Sequence, residues 1–545
     1  MASRLFIGRI TTMVDGAPAP EAVLVTGDRI AAVGPADELR MLAPDGTDIV
    51  ELGANCLMPG LIEPHGHPTA AAVLLSDDVL DIRPVTLATA DEVMAALATA
   101  VAQSPGGVLA NGWDPLLQKG LVTPTIQSLD ALAGSTPLVV LHNSGHSVYF
   151  NTAAARAAGV TDETADPAGA SFEHDENGHL TGLGLESGAV FLVCAPVLQR
   201  AEADFVRVFG DEVGRINAAG VTTIADLSWQ AATRVGLEAL QAEHPLTVRL
   251  RLYEMSAPGA HATVPRENGD DLVKQIGVKT WADGSPWVGN IATSFPYLDT
   301  KATRVMGLEP GHRGGLNFDR QQIVVIARQY APDGWQLACH AHGDLAIDAT
   351  LDAWQQVIDE NGLRDHRFRL EHVGAMTAAQ FERAARLGVS VSVFTDHLYY
   401  WGDVLVDDLF GPEHGGRWAD TASALAAGLE PTFHNDGTVT PLEPFRNMAV
   451  AMTRQSRSGR VVGGADEAGG RAAVAVGIGI DDALRAHTTW AAKQLFAEDI
   501  VGSIEVGKYA DLIVIDRDPY AVTPDELATT RVLATYFAGD LVTPA

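Results

Sequence analysis

Two histidines separated by one residue, His65-Gly66-His67, follow the apolar stretch Met58-Pro59-Gly60-Leu61-Ile62-Glu63-Pro64. Side chains alternate along an extended strand, so both imidazoles can reach one cation. A single pair carries little weight, because 17 histidines in 545 residues supply about half of one such pair by chance. A second pair stands at His340-Ala341-His342, and one of the two could be incidental. Context adds the weight that the pair lacks. His340 and His372 each close another short apolar run, so four imidazoles gather at the ends of predicted strands. Lys279 closes a further run. A lysine there is either a buried ion-pair partner or a carbamate, formed when a neutral, desolvated amine captures carbon dioxide and able to bridge two cations. Asp436, in Thr432-Phe433-His434-Asn435-Asp436-Gly437, either caps the next helix or acts as general base beside a metal-activated water; the four histidines favour the second reading.

These groups can meet only if the elements carrying them share one rim. Eight short apolar runs, each closed by polar residues, alternate with helical segments: 56–63, 221–227, 248–255, 276–282, 335–340, 368–372, 389–395 and 430–434. That alternation predicts an α/β fold, a (β/α)8 TIM-like barrel whose strand ends form the active face. His340 and His372 are 32 residues apart, and His372 and Asp436 are 64 apart, which fits one and two βα units. Residues 68–205 are too many for one helix, so an inserted subdomain is expected after barrel strand 1, within a barrel spanning 58–499. A smaller insertion is expected at 285–318. Trp113, His146, Trp287, Tyr297, His397 and Trp401 are candidate pocket residues. Asp226 and Glu254 are expected to support the site, and Gly463-Gly464 and Gly469-Gly470 to lie in a surface loop. The ends of the chain, 1–57 and 500–545, both read as short strands, and pairing them would give one composite β domain.

Composition narrows the function. With 37 Lys and Arg against 69 Asp and Glu the net charge is −32, and no basic stripe is present, so nucleic-acid binding is not expected. Three scattered cysteines fit a reducing compartment. The N-terminus lacks a sustained apolar segment and no run approaches the ~18 residues of a membrane span, so a cytoplasmic protein is expected, with neither membrane nor nucleic-acid partner.

In order and combination, several segments resemble the amidohydrolase superfamily, within it the type 3 amidohydrolases. They are Pro59 to Pro68, Gly277-Val278-Lys279-Thr280-Trp281-Ala282-Asp283-Gly284-Ser285, His340-Ala341-His342-Gly343-Asp344, Arg369-Leu370-Glu371-His372, His434-Asn435-Asp436 and Gly502 to Leu512. Asp396-His397-Leu398-Tyr399-Tyr400-Trp401-Gly402-Asp403, with Trp281 to Gly289, resembles the branch containing N-substituted formamide deformylase. The resemblance implies a β-sandwich built from both termini and one or two divalent metals, zinc by default. It places His65 and His67 on one metal and His340 and His372 on a second, with a carbon dioxide-derived carbamate on Lys279 between them and Asp436 as ligand and proton shuttle. His342 lies outside that pattern. Glu63 and Asn435 stand where many relatives have Asp and Ser. The expected reaction is hydrolysis of a carbon–nitrogen bond in a small neutral amide, an N-substituted formamide, with a homodimer as the expected assembly. The alternatives are deamination of a cyclic amidine or ester hydrolysis on the same site, and, more remotely, a non-catalytic scaffold.

Overall fold

The computed structural model describes residues 3–543 except 17, 267 and 465–476, so Gly469-Gly470 falls outside the described residues. Eight parallel strands form the central sheet: β1 (Leu61–Gly66), β2 (Val221–Trp229), β3 (Arg249–Met255), β4 (Val273–Trp281), β5 (Gln336–Ala341), β6 (Arg369–His372), β7 (Ser390–Val393) and β8 (Thr432–Phe433). They pair in chain order from β1 to β8. Most of their residues are buried, which is why the runs read as continuous apolar stretches.

The seam between β8 and β1 closes without a ladder among the described residues. His487 takes the place of a neighbouring strand: its carbonyl accepts from Ile62 N at 2.8 Å, and its Nδ1 lies 3.1 Å from Ile62 O. Glu63 Oε1 accepts from Asn435 N at 2.6 Å across the same gap. Ile62 N and O and Asn435 N, which an unpaired edge would leave orphaned, thereby find partners. At the opposite end of the barrel, Ala491, Ala492 and Leu495 pack with Ile62, Leu227, Tyr253 and Ala338.

The first expected strand, 56–63, divides at Gly60. Residues up to Pro59 belong to a long strand, Asp48–Pro59, that pairs with Leu512–Ile515 in a different sheet. A Cβ on Gly60 would stand 2.2 Å from Thr222 Oγ1, so only glycine lets the chain pass from one sheet to the other at this distance. That second sheet has seven strands drawn from both termini. It curls over one core in which Phe6 and Tyr536 meet edge to face at 5.0 Å, as the two layers of a sandwich do, although one hydrogen-bonded sheet supplies both layers.

Between β1 and β2, residues 80–185 carry a third sheet of six strands with its own core. The 285–318 stretch holds only a short 3-10 turn, Pro286–Val288, and one short helix, Lys301–Val305. Gly463 lies with Val462 in a turn, as expected of a loop, but it is buried rather than on the surface, and Gly464 is half-buried. Among the described residues no helix is long and apolar enough to cross a membrane.

Candidate metal centre and substrate cavity

His65 lies next to the end of β1, Lys279 near the end of β4, His340 near the end of β5, and His372 ends β6. Asp436 follows β8 by three residues. His67, Lys279, His340, His372 and Asp436 line one cavity of about 120 Å³. His65 is fully buried, with Nε2 3.5 Å from Asp436 Oδ1; His67 Nε2 is 3.2 Å from the same oxygen.

Each imidazole is oriented from behind. His65 donates from Nδ1 to Glu371 Oε2 at 2.5 Å, and Arg369, itself buried, holds both oxygens of that carboxylate. His340 donates from Nε2 to Gly284 O at 2.8 Å, which leaves Nδ1 for the site. His67 Nδ1 lies 3.0 Å from Ser228 Oγ, and Asp226 fixes that serine by accepting from its backbone N at 3.0 Å. Ser392, His434 and His372 form a relay through contacts of 2.8 and 3.0 Å. Asp283 pins the turn after β5, accepting from His342 N and Gly343 N at 2.9 and 2.8 Å. Glu254 supports from further off, accepting from Thr263 N and Gln275 Nε2.

Some of the chain's left-handed non-glycine residues fall at the site, although others, such as Met13 and Ala538, lie far from it. His372, Asp436 and Glu186 all take left-handed conformations, at φ 70°, 53° and 67°. Such residues cost on the order of 1–3 kcal/mol each and persist when their surroundings hold them.

Burial dominates the electrostatics. It pushes the imidazoles of His65, His340, His342 and His372 well below their ordinary range, so they are neutral and can offer lone pairs. Burial also lowers the Lys279 ammonium to about 8, against the pull of Glu371 and Asp436. On Asp436 burial raises the carboxyl, but the His67 hydrogen bond and the nearby imidazoles and Lys279 overturn it and leave the group at about 2.

These donors suit a divalent cation. Ligand atoms of His65, His67 and Asp436 lie within 4.8 Å of one another, as do those of His340, His342 and His372, and of His65, His372 and His434. Buried His65 Nε2 has no hydrogen-bond partner in the protein, which a lone pair facing a cation explains. His342, outside the expected pattern, is thus brought beside His340 and His372, and His434 joins from next to Asp436.

The inserted sheet supplies the facing wall. His146 lines the cavity with its ring 4.7 Å from that of His340, and it donates from Nδ1 to Glu186 Oε2 at 2.8 Å. Glu186 Oε1 accepts from Asn290 Nδ2 at 2.6 Å. The other pocket candidates are placed elsewhere. Trp287, His397 and Trp401 form an aromatic layer, with Trp287 stacked on Trp401 at 4.7 Å and His397 5.2 Å from His342. Trp113 sits in the insertion's core, and Tyr297 is buried against Phe410. The cavity is walled instead by Leu141, Val190, Phe191, Met255 and Trp281. No local spacing marks these residues, because they come from four separate elements of the chain.

Comparison with known proteins agrees with this arrangement. The chain is 28% identical over 535 residues to N-substituted formamide deformylase of Arthrobacter pascens, covering 96% of this chain and 94% of that one. An uncharacterized metal-dependent hydrolase from Pyrococcus horikoshii OT3 has the same fold, with a TM-score of 0.72 at 22% identity over 96% of this chain and 99% of that one. An adenosine deaminase from Xanthomonas campestris, solved with bound zinc, superposes more loosely, with a TM-score of 0.53 at 16% identity over 100% of this chain and 93% of that one. A bacterial imidazolonepropionase-like composite domain matches residues 22–45, and the amidohydrolase family profile matches 48–543. A buried imidazole and carboxylate cluster at the strand ends of an eight-stranded barrel, together with a family match over most of the chain, makes this protein a member of the amidohydrolase family, a metal-dependent hydrolase.

Proposed function

We propose that the protein hydrolyses the carbon–nitrogen bond of a small neutral amide, an N-substituted formamide. The observation that carries this reading is the ionised Asp436 set between His65 and His67 over a small cavity whose remaining walls are largely apolar. The cavity walls contain no arginine among the described residues, so a substrate carboxylate would find no guanidinium there. The likeness to the Arthrobacter deformylase, at 28% identity, supports the choice of acyl group.

His65, His67 and Asp436 would hold one cation, and His340 and His372 a second. Zinc suits this nitrogen-rich set. A divalent cation supplies Lewis-acid activation of water and carbonyl at neutral pH. The protein's own groups do the rest. The Asp436 carboxylate orients the attacking water, accepts its proton, and passes that proton to the departing nitrogen, which leaves poorly until protonated. Lys279, with its ammonium weakened by burial, reacts as the neutral amine with carbon dioxide; a carbamate forms, one proton is released, and the donor set gains a carboxylate.

The test is amine release by zinc-supplemented protein from a panel of N-substituted formamides, acetamides, N-acyl amino acids, aryl esters and cyclic amidines. Turnover led by the formamides is expected. Silence on every formamide, with turnover of charged N-acyl amino acids, esters or amidines, would overturn the substrate assignment.

A further inference from the structure

A second cleft, of about 200 Å³, adjoins the cavity beyond the ends of β3 and β4. Ser187, Phe191, Met255 and Trp281 are walls of both, so these four residues form the partition between the two spaces. Beyond them the cleft is bounded by small residues, among them Gly169, Gly188, Ala257 and Ala260, and by the ring of Phe318.

Apart from Ser187 on the partition, its polar side chains are already engaged. Ser256 donates from Oγ to Tyr330 Oη at 2.8 Å, and Asn317 donates from Nδ2 to Asp283 O at 2.9 Å. Glu186, its one charged wall, is held at both oxygens by His146 and Asn290. A polar ligand would have to break these bonds, whereas an apolar one gains by burial alone. Size points the same way. Small-molecule sites usually span ~300–1,000 Å³, a range that neither space reaches alone and that the two together just enter.

We propose that this cleft is the subsite for the amine-side substituent of the substrate, an uncharged aryl or branched alkyl group, with Met255, Trp281 and Phe191 setting its size. The assignment rests on the carbon–nitrogen hydrolase reading, in which a small acyl group occupies the cavity and the bulk of the substrate lies on nitrogen. Phe191 is 38% exposed, which places the outer edge of the partition at the surface.

The experiment compares N-methylformamide with N-benzylformamide in the zinc-loaded wild type, Ala257→Phe and Ala260→Leu, two independent ways of filling the cleft. Benzylamine binding by calorimetry is measured on the same three proteins. Filling the cleft is expected to lower kcat/KM for the benzyl substrate at least about tenfold while leaving the methyl substrate within about twofold. Equal losses on both substrates would overturn the proposal. So would a loss confined to amides with a large acyl group and a small amine. If no amide is turned over at all, the hydrolase reading fails separately and the binding measurement decides the cleft. Benzylamine affinity lowered at least about tenfold in both variants then supports it, and benzylamine affinity unchanged in both, or absent from the wild type, overturns it.

Discussion

His340 and His146 face each other across the cavity with ring centroids 4.7 Å apart, one carried by the barrel and the other by the inserted sheet. His340 is buried and His146 half-buried, and desolvation disfavours the charged form of each. For His340 the partner behind the ring is a neutral carbonyl, Gly284 O, and the imidazole stays far below its ordinary range. For His146 the partner is the Glu186 carboxylate, whose charge and hydrogen bond outweigh burial and raise the imidazole above its ordinary value. Two histidines in one cavity are thus shifted in opposite directions by what stands behind them. The barrel side offers neutral nitrogens that suit a cation; the inserted side carries an imidazole that its carboxylate partner makes more basic.

The comparison is tested most severely at Asp436, where the two sides meet. Its loop is held from the insertion by Arg83, which donates to Thr438 O at 3.3 Å, and by Asn143, which donates to Val439 O at 3.4 Å, while its carboxylate faces the barrel histidines. Asp436→Asn keeps the shape and an oxygen donor but cannot accept the water proton. Turnover should fall by ~10²–10⁴-fold, the usual worth of a positioned general base, with metal content by elemental analysis largely kept. Metal lost in proportion to activity would instead make Asp436 a ligand alone.

The two sides also differ in how far residue order reveals them. Buried parallel strands are continuous apolar runs, and a barrel puts their ends on one rim, so His65, His67, Lys279, His340, His372 and Asp436 group together on the strength of the sequence alone. The opposite wall does not. Leu141 and Phe191 line the cavity with Met255 and Trp281 although a strand and a helix of the insertion and two barrel strands carry them, and no periodicity records that. Aromatic content is an incomplete guide, because Trp287 and Trp401 stack on each other and Trp113 fills a core of its own. The division of the first strand at Gly60 is equally silent, since its cause is a side chain 162 positions away, Thr222.

The contact between insertion and barrel gives the next largest effect. Asp114, on the insertion, is fully buried and accepts from Trp401 Nε1 at 3.0 Å. Burial raises its carboxyl to about 6, against the opposing hydrogen bonds of Leu117, Trp401 and Leu116. Between pH ~4 and ~6 the folded protein therefore holds a proton that the unfolded chain has released. The unfolded state binds fewer protons there, so stability falls as pH rises through this window, by on the order of 3 kcal/mol, and the loss persists above it. Asp114→Asn removes the titrating group at the cost of one of the two acceptor oxygens, a loss that does not vary with pH. Denaturant unfolding of both proteins from pH 4 to 7 should show the variant gaining relative to wild type up to pH ~6 and then running parallel. A difference independent of pH would show that Asp114 titrates normally.

The smallest effect isolates the partner of a single barrel histidine. Glu371 behind His65 is a poor choice, because removing its charge leaves buried Arg369 with Tyr253 Oη, at 3.2 Å, as its remaining side-chain acceptor among the described residues, and the cost of an uncompensated buried charge would hide any change at the metal. Ser228 behind His67 carries no charge. Its Oγ lies 3.0 Å from His67 Nδ1, and Ser228→Ala removes that contact while the backbone N still donates to Asp226. Groups that orient a metal-bound histidine are worth ~10–100-fold in affinity, and a half-buried hydroxyl belongs at the low end, so zinc affinity by chelator competition should weaken by about tenfold. The unfolding midpoint of the metal-free protein should stay within experimental scatter, because no buried charge is stranded. Undiminished affinity would mean that packing alone holds the His67 ring, and that the partner rule separating His340 from His146 stops at the mouth of the cavity.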